Sequence, residues 1–456
     1  MSLWTSAEIA EAANGTASAH FECGGVTFDS REVGPGDLFI ALKGEATDGH
    51  NFLDQSSERG AAGAVVSVST PHPHVLVSDT AMALNDLGRA SRARSSAVIV
   101  GVTGSVGKTG TKEALYAALD RVEPGCAHRS LKSYNNHTGV PLSLARMPRE
   151  ARFGVFEMGM NHAGELAALT RLVRPHIAIV TAIAPAHSEF FPDESAIADA
   201  KGEIFQGLEP GGTAIIPFDS PHRERLIAAA SPYAGEIVTF GLDDGADVHA
   251  MDTMRTERGT FVTAMLGNEE LSYTVSQFGA HWVSNSLAVL AAARAAGGDL
   301  ALAGLALAEL GGIVGRGARF AAKVGAGEAL VIDESYNANP ASMAATLAVF
   351  GDETASRKIA VLGDMYELGE GSRAFHEGLA GPVKASGAQM VILVGEAMRA
   401  LANALEGEVD FVHVADAAAA RDQLMAMLAP GDAVLIKGSN GVGLAAVVAG
   451  LAGGKT

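Results

Sequence analysis

The sequence is poor in cysteine, in aromatic side chains and in positive charge. It has two cysteines, Cys23 and Cys126, among 456 residues, which excludes a disulfide framework, and their spacing fits no metal-binding motif. Aromatic residues make up only 5%, so small side chains must pack the helices against the sheets. With 33 Lys and Arg against 52 Asp and Glu, the formal net charge is −19. A field of that sign repels nucleic acid, so we expect no nucleic-acid partner.

Long apolar runs are also missing from the sequence. No run reaches the roughly 18 apolar residues that a membrane-spanning helix needs. Near the N-terminus, Glu8 and Glu11 stand where a signal peptide would need its apolar core. We therefore expect a cytoplasmic monomer without membrane insertion.

The apolar pattern divides the chain into three regions and predicts an α/β fold. A hydrophobic content of 48% suits well-filled globular domains, and the length fits about three of them. Strand-like runs alternate with helical stretches, as in SAVIVGVTG before KTGTKEALYAAL, which is typical of parallel sheets covered by helices. We predict a small α/β domain over residues 1–95, a central phosphate-loop (P-loop) domain with a parallel sheet over 96–318, and a Rossmann-like doubly wound domain over 319–456.

The segment GVTGSVGKTGT lies between a predicted buried strand and a predicted helix. It lacks the glycine that the common phosphate-binding pattern has five positions before Gly107. Free N–H groups at the start of a helix bind phosphate oxygens, and Gly104 and Gly107 let the backbone approach them. Lys108 can reach the terminal phosphates, and the Thr109 hydroxyl can bind Mg²⁺. The segment therefore predicts nucleotide binding.

Polar side chains follow other predicted strands of the central region. Glu157 ends the run FGVFE, and a carboxylate at the end of a parallel strand beside a phosphate loop can hold Mg²⁺. His187 follows the next run; a lone histidine is more often structural, but the neighbouring strand ends favour a metal site. In SYNNHTGVPLSL, Asn135 and Asn136 can bind phosphate or substrate, or the segment is an ordinary helix start.

Seven motifs in one order resemble the Mur ligases, the ATP-dependent enzymes that add amino acids to the peptidoglycan precursor. They are TGSVGKT, NNHTGVPL, EMGMNHAGEL, AKGEI, AHWVSNSLA, GRGARF and SYNANP. The last of these resembles the family member that adds a dipeptide more than its siblings. The resemblance implies that ATP and Mg²⁺ drive the joining of D-alanyl-D-alanine to UDP-N-acetylmuramoyl-tripeptide through an acyl phosphate.

The resemblance also implies roles for individual residues. It implies catalytic roles for Lys108, His187, Lys201 and Arg316. It implies a metal site formed by Thr109, Glu157, His187 and a Lys201 carbamylated by CO₂. It implies ATP contacts from Gly104, Ser105, Gly107, Lys108, Thr109, Asn285, Arg316, Asp333, Glu334, Tyr336, Asn337, Asn339 and Pro340. It implies substrate contacts from Ser30, Arg31, Asp48, Gly49, His50, Asn135, Asn136, Asn161 and His162. From the residues alone, Lys201 would be an ordinary surface lysine on a helix.

Three positions depart from the family pattern, and two other functions stay open. Trp282 stands where an asparagine is common, so either its ring stacks on the nucleotide base or that contact is lost. Glu334 stands where an aspartate is common, and Asn440 where an arginine is common. The alternatives are a sibling ligase that adds a single amino acid, such as a folylpolyglutamate synthetase-like ligase, and an ATP-gated binding module that performs no ligation.

Overall fold

The computed structural model describes residues 2–44, 47–185 and 189–453, which form three larger sheets in succession along the chain and one two-stranded ribbon. The first part of the chain forms a small mixed sheet and a two-stranded ribbon. Its elements are β1 (Trp4–Thr5), α1 (Ser6–Ala12), β2 (Thr16–Ala17), β3 (Glu22–Cys23), β4 (Gly25–Thr27), β5 (Asp37–Ile40), α2 (Leu53–Glu58), β6 (Gly63–Val66), β7 (His74–Leu76) and α3 (Thr80–Arg94). The sheet order is β2-β7-β6-β5-β4, with β4 to β7 parallel.

The central part forms a sheet that has nine strands among the described residues, in the order β16-β15-β14-β13-β12-β11-β8-β10-β9. Its elements are β8 (Val98–Thr103), α4 (Lys108–Asp120), β9 (Ala127–Arg129), α5 (Gly139–Ala145), β10 (Phe153–Glu157), α6 (Glu165–Val173), β11 (Ile177–Val180), α7 (Glu194–Gly202), β12 (Thr213–Pro217), α8 (Arg223–Ala230), β13 (Glu236–Gly241), β14 (Val248–Thr256), β15 (Gly259–Leu266), β16 (Glu269–Val275), α9 (Ala280–Ala295) and α10 (Leu300–Ala308).

The last part forms a sheet of order β17-β18-β22-β19-β20-β21, in which all pairs but the first are parallel. Its elements are β17 (Ala318–Val324), β18 (Gly327–Glu334), α11 (Pro340–Gly351), β19 (Arg357–Gly363), α12 (Ser372–Glu377), α13 (Ala380–Ala385), β20 (Met390–Val394), α14 (Arg399–Leu405), β21 (Phe411–Val414), α15 (Ala417–Met427), β22 (Asp432–Lys437) and α16 (Ala445–Ala452). Short 3-10 turns cover Gly49–Phe52, Glu203–Gly207, Gly369–Gly371 and Asn440–Val442.

Strands β8, β10, β11 and β12 of the central sheet are buried on both faces, which is why they read as nearly continuous apolar runs. One face packs against α4, α9 and α10, and the other against α5, α6, α7 and α8. The order β11-β8-β10 places the phosphate-loop strand between two parallel neighbours, so the carboxyl ends of all three meet at one edge. In open α/β sheets this edge is where ligands bind.

The predicted α/β fold class is confirmed, and the structure adds detail that the sequence pattern did not supply. Strands β13 and β14 extend the central sheet in parallel, and β15 and β16 continue it through antiparallel pairs. Strands β17 and β21 were not predicted; most of their residues are only partly buried. Divisions at residues 95 and 318 stay predictions. Among the described residues, every helix is too short or too polar to cross a bilayer.

Candidate functional site

A cavity of about 720 Å³ lies between the central sheet and the last part of the chain. One wall is formed by the phosphate loop and by the segments that follow β10 and β11. The opposite wall is formed by the turns after β18, β19 and β22. The helix α9 closes one end with His281, Trp282 and Asn285. The carboxyl edges of two sheets therefore face each other across one space.

The phosphate loop has the backbone that an anion site requires. Gly107 precedes the 13-residue helix α4 with a φ of 83°, and Gly104 has a φ of 150°. A side chain at Gly104 would overlap the Thr181 hydroxyl, so the loop is short because it packs on the end of β11. Ser105 also joins the loop to the segment that follows β11, because its Oγ accepts a 3.1 Å hydrogen bond from the backbone N–H of Ala184. The free N–H groups of α4 open into the cavity, where they can bind phosphate.

Lys108 lies at the start of α4 and lines the cavity. Its Nζ donates a 2.7 Å hydrogen bond to the carbonyl oxygen of Gly104. Burial lowers the pKa of Lys108; the nearby Glu157 carboxylate opposes that shift and Arg316 adds to it. An ammonium held against its own loop is placed to contact a phosphate that enters the same loop.

Glu157 is the acidic group at the base of the cavity, and it is 1% exposed. Both carboxylate oxygens accept a hydrogen bond: Oε2 at 2.9 Å from the Thr109 hydroxyl and Oε1 at 2.8 Å from the Asn135 amide. The Lys112 ammonium lies 3.8 Å from Oε2. The structure thus brings together three residues that the sequence placed in separate motifs.

Lys201 is fully buried on α7, and among the described residues its ammonium has no hydrogen-bond partner. Burial and the positive charge of Lys108 hold its pKa well below the usual range. A buried, unpaired ammonium is costly, so the side chain favours its neutral amine form. The sequence alternative, an exposed lysine on a helix surface, is not what the structure shows. His187 lies outside the described residues.

The donor set suits Mg²⁺ better than a soft metal. The hydroxyl of Thr109 and the carboxylate of Glu157 are oxygen ligands, and Mg²⁺ in nucleotide sites takes one or two carboxylates beside phosphate and water. Across residues 2–44, 47–185 and 189–453, no group of three His, Cys, Asp or Glu side chains forms a metal cage. The site therefore fits a cation that arrives with the nucleotide.

The opposite wall carries Arg316, Tyr336 and Asn337. The guanidinium of Arg316 stacks 4.3 Å from the centre of the Tyr336 ring, and its Nη2 lies 3.4 Å from the hydroxyl of Ser133 across the cavity. Asn339 also lines the cavity and caps α11, where its side chain accepts from the backbone N–H of Ser342. This wall presents a cation and an aromatic ring toward the phosphate loop.

Glu334 and Lys437 form a buried pair on the same wall. Their charged groups lie 3.5 Å apart, and Lys437 also donates a 2.9 Å hydrogen bond to the carbonyl oxygen of Asn337. Burial raises the pKa of Glu334, and Lys437 partly opposes that shift. Burial likewise lowers the pKa of Lys437. The longer side chain at position 334 thus reaches a lysine that sequence reasoning did not single out.

Comparison with known proteins covers all three parts of the chain. Residues 22–96 match the Mur ligase family catalytic domain, 102–293 the Mur ligase middle domain, and 318–440 the Mur ligase, glutamate ligase domain. The UDP-N-acetylmuramoyl-tripeptide–D-alanyl-D-alanine ligase of Escherichia coli (strain K12) is 34% identical over 439 residues, which is 93% of this chain and 93% of that protein. The chain belongs to the Mur ligase family.

This Mur ligase is also similar to solved structures over nearly its whole length. MurF from Acinetobacter baumannii superposes with a TM-score of 0.84 at 29% identity, covering 98% of both chains. The MurF ligase from Thermotoga maritima in complex with ADP superposes with a TM-score of 0.77 at 26% identity, covering 94% of this chain and 97% of that one. The family predicted from the seven motifs is confirmed.

Four of the predicted ATP contacts do not line the cavity of this Mur ligase: Gly104, Thr109, Asp333 and Pro340. The Asp333 carboxylate accepts hydrogen bonds from the backbone N–H of Gly315 at 2.8 Å and from the Ser335 hydroxyl at 2.6 Å. It therefore fixes the turn that carries Arg316. Pro340 is the first residue of α11 and fixes that helix start. Their contacts with ATP stay predictions.

The predicted substrate residues fall into two groups. Asn135 and Asn161 line the cavity. Asn136 is exposed, and its side chain accepts from the N–H of Gly139 at 2.9 Å, so it caps the start of α5. His162 is exposed beside the Phe190 ring, with the two ring centres 4.7 Å apart.

The first-domain candidates lie away from this cavity. The Asp48 carboxylate accepts a 2.6 Å hydrogen bond from His50, and His50 Nε2 accepts from the N–H of Ser67 at 2.9 Å. Gly49 lies between them, where a side chain would strike the backbone of Leu42. Separately, Arg31 is exposed and pairs with Asp29, while Ser30 is buried beside it.

Trp282 is one of the three departures from the family pattern, and the structure shows where its side chain packs. Its ring is 7% exposed and packs on α4, where a Cβ at Gly110 would lie 2.9 Å from Cη2 of the indole. It also lines the cavity beside Asn285, whose amide contacts Gly107. The tryptophan is thus part of the central core and forms the cavity wall with one edge. Asn440 lines the cavity from the turn after β22.

Proposed function

We propose that this Mur ligase joins D-alanyl-D-alanine to UDP-N-acetylmuramoyl-tripeptide, with hydrolysis of ATP to ADP and phosphate. One observation supports this most directly: a phosphate loop with Lys108 faces Arg316 and Tyr336 across a single cavity. The similar proteins from Escherichia coli and Bacillus subtilis carry this activity in their names. A related ligase of Thermotoga maritima was crystallised with ADP.

The chemistry explains why cations stand on both walls. A carboxylate is a poor electrophile, so the terminal carboxylate of the tripeptide first takes the γ-phosphoryl group of ATP, releasing ADP and forming an acyl phosphate. The amine of the dipeptide then attacks that carbonyl, and phosphate leaves as the amide forms. Lys108 and Arg316 offset the repulsion between two anions that must approach each other. The opposed walls exclude water, which would hydrolyse the acyl phosphate.

Mg²⁺ would be held by Thr109 and Glu157, with His187 and a carbamylated Lys201 completing the site. When bound, the ion neutralises phosphate charge. The buried neutral amine of Lys201 suits reaction with CO₂: a C–N bond forms, one proton is released, and the product is a carbamate anion. Ser30, Arg31, Asp48, Gly49 and His50 would bind the uridine nucleotide, because they follow β4 and β5, two neighbouring parallel strands of the first sheet.

A substrate-comparison assay tests the proposal. Purified protein is incubated with UDP-N-acetylmuramoyl-tripeptide, ATP and Mg²⁺, and phosphate release is followed with D-alanyl-D-alanine or with single amino acids. We expect release and a pentapeptide product, identified by mass spectrometry, only with the dipeptide. Activity with a single amino acid alone would assign the chain to a sibling ligase. ATP hydrolysis at the same rate without any tripeptide would instead indicate an ATP-gated binding module.

A further inference from the structure

Lys112 is a fully buried lysine one helical turn after Lys108 on α4, and the reaction outlined above does not use it. Its Nζ donates a 2.6 Å hydrogen bond to the carbonyl oxygen of Lys132 and lies 2.9 Å from the carboxylate of Glu113. It also lies 3.8 Å from Glu157. A buried ammonium with several acceptors holds those groups in place. If one of them moved away, a buried charge would lose a partner, which is energetically costly.

The segment 131–135, which Lys112 holds, connects all three parts of the chain. Its side-chain contacts are Lys132 with Glu32 of the first part, Ser133 with both Thr109 and Arg316, and Asn135 with Glu157. The segment therefore touches the nucleotide-sugar side, the phosphate loop and the last part of the chain. Any shift of its backbone would therefore displace the residues at the base of the cavity.

The backbone at Lys132 needs such support. Its φ is 51°, in the left-handed region that residues other than glycine rarely adopt. The carbonyl that Lys112 binds belongs to this same residue. The hydrogen bond thus stabilises an unfavourable turn, and that turn orients Ser133 and Asn135 toward the cavity.

We propose that Lys112 is a positioning residue of the ligase reaction, which acts by holding the segment 131–135 so that Ser133 and Asn135 orient Thr109 and Glu157. The inference rests on the proposed function. Groups that orient the residues around a metal or phosphate typically change activity by about 10- to 100-fold when they are removed. We expect a loss of that order in kcat for Lys112→Met, with a change of about threefold or less in KM for D-alanyl-D-alanine.

Two measurements separate positioning from a plain structural role. The first is hydrogen–deuterium exchange of peptides covering residues 131–136, which we expect to speed up about tenfold or more in Lys112→Met. The second is the double variant Lys112→Met/Glu113→Gln. If Lys112 served only to neutralise Glu113, removing both charges would restore kcat; we expect the double variant to stay as slow as the single one. Wild-type kcat in either variant would overturn the proposal.

Arg92→Met is the matched control. Arg92 is also buried and donates to backbone carbonyls, those of Val173 and Arg174, at 2.8 and 2.7 Å, far from the cavity. We expect it to lose stability while kcat and the exchange of residues 131–136 stay at wild-type values. An equal kinetic loss in Arg92→Met would overturn the proposal, because any destabilisation would then suffice.

The test still gives a result if Lys112→Met does not fold or if the proposed function is wrong. If Lys112→Met does not fold, Lys112→Gln gives the same comparison in milder form, and a folded Gln variant with wild-type kcat overturns the proposal. If the wild type makes no pentapeptide, the proposed function fails by itself. The exchange measurement still tests Lys112 in that case, since unchanged exchange in the variant refutes its hold on the segment whatever the reaction is.

Discussion

Replacing Lys201 with methionine should raise the stability of the protein and abolish its turnover. Methionine fills a similar volume without a polar nitrogen, and Lys201 is fully buried with no hydrogen-bond partner among the described residues. Leaving a buried donor unsatisfied costs about 1–3 kcal/mol. Each kcal/mol shifts the melting temperature of a domain this size by about 2–4 °C. Turnover should be lost because the proposed carbamate cannot form on methionine.

The pH dependence of the stability gain provides a second, independent check. Burial places the pKa of Lys201 below its usual value of 10.5 in the folded protein. Between the folded and unfolded pKa values, the unfolded chain binds more protons, so wild-type stability rises with pH across that window. The Lys201→Met variant lacks this dependence. Its advantage over the wild type should therefore decrease as pH rises through that window and be smallest near the unfolded value, at about pH 10.

The assay is a thermal melt in buffer freed of CO₂, with phosphate release measured separately on the same proteins in buffer that contains bicarbonate. Lys112→Met is the comparison variant, because Lys112 is equally buried but fully partnered, and it should melt below the wild type. A Lys201→Met protein that melts below the wild type, or one that retains turnover, would refute the reasoning. Equal shifts of the same sign in both variants would refute it as well.

Two further predictions concern the phosphate loop and the junction between the central and last sheets. Lys108→Ala should lower kcat by about 10²–10³-fold or more and leave the melting temperature nearly unchanged, since the lost ammonium faces the cavity; near-normal phosphate release would remove the loop from the reaction. Although burial raises its pKa, hydrogen bonds from Arg319 and Arg255 lower the pKa of Glu353 overall. The contribution of the ionised Glu353 to folding stability should be complete above about pH 4.3. It should be lost as pH falls through the lower pKa that Glu353 has in the folded protein. Because both arginines are partly exposed, Glu353→Gln should cost about 1–2 kcal/mol at pH 7, and a melting difference that persists at about pH 3 would contradict this.

The central strands and the phosphate loop could be predicted from sequence because each depends on local chemistry. A strand buried on both faces must be apolar throughout, and β8, β10, β11 and β12 all read that way. The loop needs glycine where backbone must approach phosphate, and a lysine at the helix start. These requirements act over about ten residues, so they are visible in any short window of the sequence.

The contacts at the base of the cavity could not be predicted in the same way. Thr109, Asn135 and Glu157 come from three separate segments, and only the parallel pairing of β8 with β10 brings them together. Lys112 gave no signal at all, because a lysine on a helix is normally solvated and nothing local marks it as buried. Strand β21 was missed for a related reason: its four residues are all partly exposed, so its pattern is weak.

The pairing of Trp282 with Gly110 shows how one departure from a family pattern is accommodated. An indole is large, and it fits against α4 only because position 110 has no side chain; a Cβ there would lie 2.9 Å from the ring. Glycine inside a helix is unfavourable by about 1 kcal/mol, and the close approach of the indole accounts for its presence as the third residue of α4. Because the two residues are 172 positions apart in the sequence, their contact could not be predicted from the sequence. Since the ring also lines the cavity beside Asn285, a side chain at 110 would push Trp282 into that cavity, and the departure is thereby coupled to the proposed nucleotide site.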